Sequence, residues 1–458
     1  MRTGELGFWW RSVGGPPPPR APLAAPAEAD VAIVGAGYTG LWTAYYLKRA
    51  DPSLRVLVLE REHAGFGASG RNGGWVSGFF SGPARVYERR GGRAGVHALQ
   101  REMFLAVDEV GRFLLQHAID ADFVKGGHVT VALNDAQAMR VRDWVRAERE
   151  QGLGEDELHE VAAAALARRL RVAGARGGAF SPHVARVHPV KLLAGLAAVV
   201  EGLGVTIHED TPVTELRPHE ARTPVGPVRA RWVVLATEGY TGGLLGMRRV
   251  LAPVNSSMIV TDPLPQGAWE EIGWGGAEVL SDAAHAHCYL QRTADGRIAI
   301  GGRGRPYRFG SATGGAGDTA LATVRLLKAR LASMFPAAAA VQIDHAWSGV
   351  LGVSRDWCMS LQADRDSGLA WSGGYVGHGV AAANLAGRTL GDLILGRAST
   401  LTALPWVGRT PRRWEPEPIR WSAINGLYAA YRHADRTERR RGRPARVARL
   451  LDRASGRR

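Results

Sequence analysis

The fold turns on the stretch "DVAIVGAGYTGLWTAYYLKRADPSLRVLVLERE", Asp30 to Glu62. A short apolar run leads into a glycine turn, then a segment of helical periodicity, then a second apolar run ending at Glu60. Buried parallel strands read as continuous apolar runs, and their crossover helices read with a 3.6-residue period, so this is a βαβ unit. "GAGYTG" places Gly35, Gly37 and Gly40 in G-x-G-x-x-G spacing between strand and helix. Gly35 permits the tight turn, Gly37 lets a pyrophosphate approach the backbone, and Gly40 lets helix and strand pack closely. The amides of the helix N-terminus, where Tyr38 and Thr39 stand, then meet the phosphate charge. Glu60, with Arg61 beside it, closes the second strand and is placed to accept hydrogen bonds from ribose hydroxyls. The motif specifies a dinucleotide and leaves NAD and FAD both open.

"GFGASGRNGGW", Gly65 to Trp75, bears on that choice. A nicotinamide dehydrogenase continues from Glu60 into another helix and strand, whereas this chain inserts glycine-rich backbone. FAD has a ribityl chain and a three-ring flavin to be threaded beyond the pyrophosphate, and bare backbone can touch both closely. Gly67, Ala68 and Gly73 supply that backbone. Ser69 is suited to a phosphate, Arg71 adds charge, and Asn72 offers an amide for the pyrimidine edge. A mobile surface loop would carry the same composition. A third element, "GGYVGHGV", lies between a strand and an alanine-rich helix, and its Gly377, His378, Gly379 and Val380 stand at a helix N-terminus. Unpaired amides there stabilise negative charge on a reduced flavin. His378 is either a hydrogen-bonding group at that site or a packed residue at a helix entrance.

A chain of 458 residues with 45% apolar content suggests two domains or two lobes sharing an interface. Met1 to Ala29, with four consecutive prolines from Pro16 to Pro19, reads as an extended arm in which Trp9 and Trp10 can pack back on the body. Nucleotide-fold pieces recur at the start, middle and end of the chain, and "NSSMIVTD", "HCYLQRT" and "RIAIGG" read as antiparallel strands. The expected class is α/β: a discontinuous Rossmann-like lobe of residues 30–121, 181–240 and 341–398, interleaved with a mainly antiparallel-sheet lobe of residues 122–180 and 241–340. Residues 1–29 form the arm and 399–458 a basic extension, in which Trp421, Ile424, Leu427 or Tyr428, and Tyr431 recur at helical spacing.

The net charge of +15 is concentrated after Arg432, and no helix-turn-helix, zinc or aromatic-stacking motif accompanies it. No dedicated nucleic-acid role is expected. Cys288 and Cys358, the two cysteines, form no disulfide framework and no metal-ligand spacing, so no metal is expected. No apolar run is long enough to cross a bilayer, and the N-terminus lacks a secretory centre, which points to the cytoplasm.

Taken together, "DVAIVGAGYTGLWTAYYL", "LERE", "GFGASGRNGG", "VHPVKLLAGLA", "VVLATEGY" and "GGYVGHGVAAANLAGRTLGDLI" resemble the FAD-dependent oxidoreductases of the D-amino-acid oxidase, glycine oxidase and sarcosine oxidase superfamily. The resemblance runs from Asp30 to Gly396 and is greatest to the gamma-glutamylputrescine oxidase-like branch. It implies an FAD lobe and a substrate lobe covering the flavin face. It also implies hydride transfer from an amine or amino-acid carbon to flavin N5, imine hydrolysis, and reoxidation of the flavin by oxygen or another acceptor. By the same resemblance Gly35, Gly37 and Gly40 belong to the pyrophosphate loop and Glu60 to the ribose. Ala68, Ser69, Arg71, Asn72 and Gly73 belong to the flavin-threading loop, Val213 to an adenine contact, Ala236 and Thr237 to a turn beside the cofactor, and Gly377 to Gly379 to the C-terminal flavin loop.

Two departures stand out. Sarcosine oxidase-like members place a lysine in the region of "IGGRGRPY"; here Arg303 and Arg305 are either its replacement in charge or solvated strand-end residues. "DWCMSL" superficially matches covalent flavin attachment through cysteine, but the offset of Cys358 from the "GHG" loop fits noncovalent FAD better. Trp75, Tyr289, Trp347 and Tyr375 are candidates for the substrate-pocket wall or for core positions. The alternatives to an amine-oxidising flavoenzyme are a nicotinamide-dependent dehydrogenase and a non-catalytic nucleotide-binding protein with a basic tail.

Overall fold

The computed structural model describes residues 1–4, 6–313 and 315–455; the last residues of the basic extension lie outside them. Ala27–Val34 and Val56–Leu59 pair in parallel on either side of the Tyr38–Ala50 crossover helix. Gly226–Leu235 pairs in parallel with Ala27–Val34 on its other edge, and Thr206–His208 with Val56–Leu59. Leu369–Gly373 and Ser360–Asp364 extend this eight-stranded sheet. The Tyr38–Ala50 helix lies against Gly379–Ile394, and Gly387 makes the contact possible: a β-carbon there would sit 2.6 Å from the backbone carbon of Trp42.

A nine-stranded, mainly antiparallel sheet faces this lobe. Its middle runs Ile343–Val353, Ala252–Thr261, Ile298–Gly302, Cys288–Arg292, Val279–Asp282 and His128–Val131. Its apolar side packs on the Leu321–Met334 helix and on Trp269, Trp274 and Phe335. The boundary expected at residue 341 is displaced, because Ile343–Val353 pairs along its length with Ala252–Thr261 and so belongs to this sheet. The nucleotide sheet resumes only at Ser360. The alternation of "IDHAWSGVLGV" specifies a strand, but which sheet receives it depends on a partner far away in sequence.

The expected extended arm is instead part of the core. Arg2–Thr3 adds a parallel strand to His345–Ala346, and the short Phe8–Ser12 helix buries Phe8, Trp9 and Trp10 at 3, 2 and 3% exposure. The proline segment is pinned by Arg20, which bonds both oxygens of Glu201 (2.6 and 2.8 Å) and Glu209 (2.9 Å). Burial of three large aromatics outweighs the extended preference of the prolines that follow. The basic extension forms a long helix, Ile419–Arg441, that buries Ile424, Tyr428 and Tyr431 while its last-turn arginines Arg439 to Arg441 are exposed. Among the described residues no helix is long and apolar enough to cross a membrane.

Replacing Trp9 by alanine is expected to lower stability by about 3–5 kcal/mol, the cost of emptying a large aromatic site in a packed core. Denaturant unfolding of the holoprotein measures it; a change of under about 1 kcal/mol would return the arm to the periphery.

Candidate functional site

A cavity of about 520 Å³ runs between the two lobes, from the strand ends at Val34 and Leu59 to the loop at His378 and the substrate-lobe strands. Gly35, Gly37, Tyr38, Thr39, Glu60, Arg61, Gly67, Ala68, Ser69, Arg71, Asn72, Gly73, Val213, Ala236, Thr237, Gly377, His378, Gly379 and Val380 all line it. So do Trp75, Tyr289 and Tyr375. Residues drawn from separated stretches of sequence thus share one enclosure. Gly40 stands behind the wall, and Trp347 lies elsewhere.

At one end Gly35 has φ 107°, a value closed to residues with a β-carbon, and its amide donates to Leu59 O at 2.8 Å. A β-carbon on Gly40 would lie 2.0 Å from Gly35 O, so bare backbone is required where the helix crosses its strand. The Ala36 amide donates to Glu60 Oε2 at 2.8 Å and the Glu62 amide to Oε1 at 3.1 Å. Burial raises the Glu60 carboxyl above its ordinary value, opposed by those two amides. The Tyr38 amide, first of the helix, donates to Ser69 Oγ at 2.9 Å. Ser69 therefore ties the two glycine loops together through its hydroxyl oxygen.

The Gly65 to Gly74 loop is braced from outside. Trp9 Nε1 donates to Asn72 O (2.8 Å) and Trp347 Nε1 to Arg71 O (2.9 Å). This corrects the pocket-wall expectation for Trp347, which is fully buried beneath the loop against Phe8 and Trp9. Asn72 also departs from expectation. Its amide donates to Ala68 O (3.2 Å) and Ser69 O (2.8 Å) and its oxygen accepts from the Gly74 amide (2.7 Å), so the side chain shapes the loop. A glycine-rich segment needs such internal bonds to hold one conformation. Arg71 donates through Nε to Phe66 O at 2.8 Å and stacks over the Phe66 ring. Among the described residues its Nη2 is buried without a hydrogen-bond partner, as is Trp75 Nε1.

The C-terminal loop is held by a residue the sequence reading passed over. Glu238 Oε1 accepts from the amides of Gly374 and Tyr375, both at 2.9 Å, and Oε2 faces Gly352. Burial pushes this carboxyl up to about 7 despite those amides. Val376, a β-branched residue, is held at φ 51° in the same loop, a conformation that persists only where its surroundings dictate it. The Tyr375 hydroxyl lies 3.0 Å from both Thr39 Oγ1 and Ser372 Oγ, which links the loop to the first glycine turn. Among the described residues no side chain caps the N-terminus of the Gly379–Ile394 helix. His378 instead places Nδ1 2.9 Å from Ser77 Oγ, and burial pushes its imidazole down to about 4. His128, also unread in the sequence, pairs with Ser281 Oγ at 2.8 Å and is pushed down to about 3, by burial first and then by nearby His378. Both rings are neutral near pH 7.

On the substrate-lobe side, Trp75 and Tyr289 meet edge to face at 6.0 Å, and the Tyr289 hydroxyl pairs with Ser256 Oγ at 2.9 Å. Arg303 lines the cavity half-buried, whereas Arg305 is exposed and does not. His285, Ala286, His287 and Tyr428 complete this end. No local motif marks them, since only the sheet and the C-terminal helix bring them together. Cys358 and Cys288 are buried outside the cavity lining, with the Cys358 thiol pushed up to about 12 by burial.

The donor set fits FAD. Two helix N-termini, Tyr38–Ala50 and Gly379–Ile394, open on one elongated cavity, and the orphaned Arg71 Nη2 and Trp75 Nε1 on residues lining it call for a polar ligand.

A family model described as "FAD dependent oxidoreductase" matches residues 30–393. The gamma-glutamylputrescine oxidoreductase of Escherichia coli is 30% identical over 381 residues, covering 82% of this chain and 85% of that protein. A probable oxidoreductase, OrdL, of Haemophilus influenzae is 30% identical over 391 residues, again 82% and 85%. Among solved structures, glycine oxidase from Geobacillus kaustophilus superimposes with a TM-score of 0.70 at 20% identity, covering 85% of this chain and all of that one.

Gly40→Ala is expected to lower stability by about 1–3 kcal/mol through overpacking and to strip FAD from the purified protein. Unchanged flavin absorbance per chain would contradict this. For Glu238 the folded value of about 7 stands above the ordinary 4.5. Stability from its burial in protonated form is therefore full below about pH 4.5 and lost as the pH rises through 7. Glu238→Gln should remove that loss, so its unfolding midpoint gains on wild type between pH 4.5 and 7. A pH-independent difference would refute the assignment.

Proposed function

This chain belongs to the FAD-dependent oxidoreductase family, and we propose that it oxidises the carbon–nitrogen bond of an amine or amino acid that carries a carboxylate. The observation behind the carboxylate is Arg303. It brings a positive charge into the cavity from the antiparallel sheet, close enough to Tyr289 to act on its phenol. Guanidinium groups match carboxylates in planar, bidentate geometry. When bound, FAD supplies the two-electron acceptor for the hydride that leaves the carbon beside nitrogen.

The chain's own groups suit an amine. Trp75 and Tyr289 offer aromatic surface for a cationic or neutral amino group. His378 and His128 lie too low in pKa to hold a proton at pH 7, so we assign them hydrogen-bonding and orienting roles, not general acid or base chemistry. The cofactor-binding roles expected for the glycine loops belong to this proposal, as does noncovalent attachment, supported by two cysteines buried outside the cavity lining. Oxygen is the proposed electron acceptor. A cytoplasmic location completes the reading.

Anaerobic mixing of the yellow holoprotein with a panel of amines and N-alkyl amino acids should bleach the flavin for some of them, and readmitted oxygen should yield one peroxide per turnover. Arg303→Gln is expected to raise KM for carboxylate-bearing substrates about 10- to 100-fold, the worth of a charge-assisted hydrogen bond. An unchanged KM would remove the carboxylate from the proposal, and a flavin that no amine reduces would remove the amine.

A further inference from the structure

The Ile419–Arg441 helix lies beyond the region matched by the family model, yet it reaches the cavity. Tyr428 lines the cavity at 3% exposure, with its ring packed among Tyr307, Trp357 and Tyr431. A tyrosine on a cavity wall offers a ligand both an apolar ring and a polar tip.

The same helix fixes two other parts of that wall. Asp435 accepts from the backbone amides of His285 (2.8 Å) and Ala286 (3.0 Å), two residues of the loop that lines the cavity. Glu438 Oε1 lies 3.0 Å from His285 Nε2 and accepts from the Ala445 amide at 3.0 Å, and Oε2 accepts from Arg140 at 2.6 Å. Burial raises the Glu438 carboxyl, but these partners pull it down to about 2, so it is ionised throughout the working pH range. The Tyr431 ring stacks on His285, 5.6 Å between centroids and 5° from parallel. His285, Asp435 and Glu438 come within 4.8 Å of one another, but the carboxylates are engaged by these N–H donors, which makes the cluster a latch. On the other side Asn425 donates to Tyr307 O (3.3 Å) and Arg432 to Gly304 O (3.4 Å), holding the segment that begins at Arg303.

We infer that this C-terminal helix is a specificity-determining wall of the substrate site: Tyr428 contacts the part of the amine remote from its reacting carbon, and Asp435 and Glu438 hold the opposing loop at a fixed distance. The inference rests on the amine reading above. It places the selection of substrate length in a segment outside the family-matched core, where it can vary without disturbing the cofactor loops.

The test uses full-length holoprotein and the ratio of kcat/KM for a long over a short amine bearing the same reacting group. Tyr428→Ala should retain flavin at the wild-type level and shift that ratio about tenfold or more, chiefly through KM. Asp435→Asn, which weakens the latch without touching the cavity lining, should shift it in the same direction by a smaller factor. An unmoved ratio in Tyr428→Ala overturns the inference. If that variant does not accumulate, an unmoved ratio in both Tyr428→Phe and Tyr428→Trp overturns it equally. Wild-type flavin reduced by amines with the ratio unmoved refutes this inference alone, whereas wild-type flavin reduced by no amine refutes the underlying reading and this inference with it.

Discussion

The carbonyl oxygen of Gly35 occupies the place where residue 40 would carry a β-carbon, and the rest of the molecule is arranged around that approach. It brings the helix onto its strand so that the first amides of Tyr38–Ala50 open on the cavity. The Ser69 hydroxyl accepts from the Tyr38 amide and so sets the second glycine loop relative to the first. Tyr375 reaches from the third loop to Thr39 on the same helix. Three loops separate in sequence are thereby referenced to one turn, and an error of an ångström there would propagate to all of them.

The electrostatics follow the same plan. Two helix N-termini bring positive partial charge to a site for a ligand with phosphate at one end and a reducible ring at the other. Arg61 and Arg71 add positive charge along the glycine loops. The two cavity histidines, His128 and His378, are neutral near pH 7, and Glu238, a buried acid, spends one oxygen on two backbone amides. Arg303 brings a further positive charge to the cavity from the end of an antiparallel strand.

What could be read in the sequence was what depends on local geometry. The glycine spacing of residues 35 to 40, the acid at 60 and the loops at 65 and 377 each carry their constraint within a few residues, and each lines or backs the cavity. What escaped depends on partners far along the chain. Ile343–Val353 has the alternation of a strand, but its sheet is decided by Ala252–Thr261. For Trp347 the choice between pocket wall and core is decided by Phe8 and Trp9, which pack against it from the far end of the sequence. Tyr428, His128 and Glu238 sit in unremarkable sequence, and their placement follows from packing and from sheet register, which no short window records.

The pairing of Arg2–Thr3 with His345–Ala346 has a consequence for biosynthesis. The arm is translated early, and the strand that receives it emerges only after more than three hundred further residues, a wait of tens of seconds at roughly 5–20 residues per second. Through that interval Phe8 and Trp9 have no Trp347 to pack on, and the Asn72 and Arg71 carbonyls lack one of their two indole braces. The glycine loop consequently reaches its final shape late, when the arm meets Ile343–Val353, and cofactor capture becomes a report that synthesis has passed that strand.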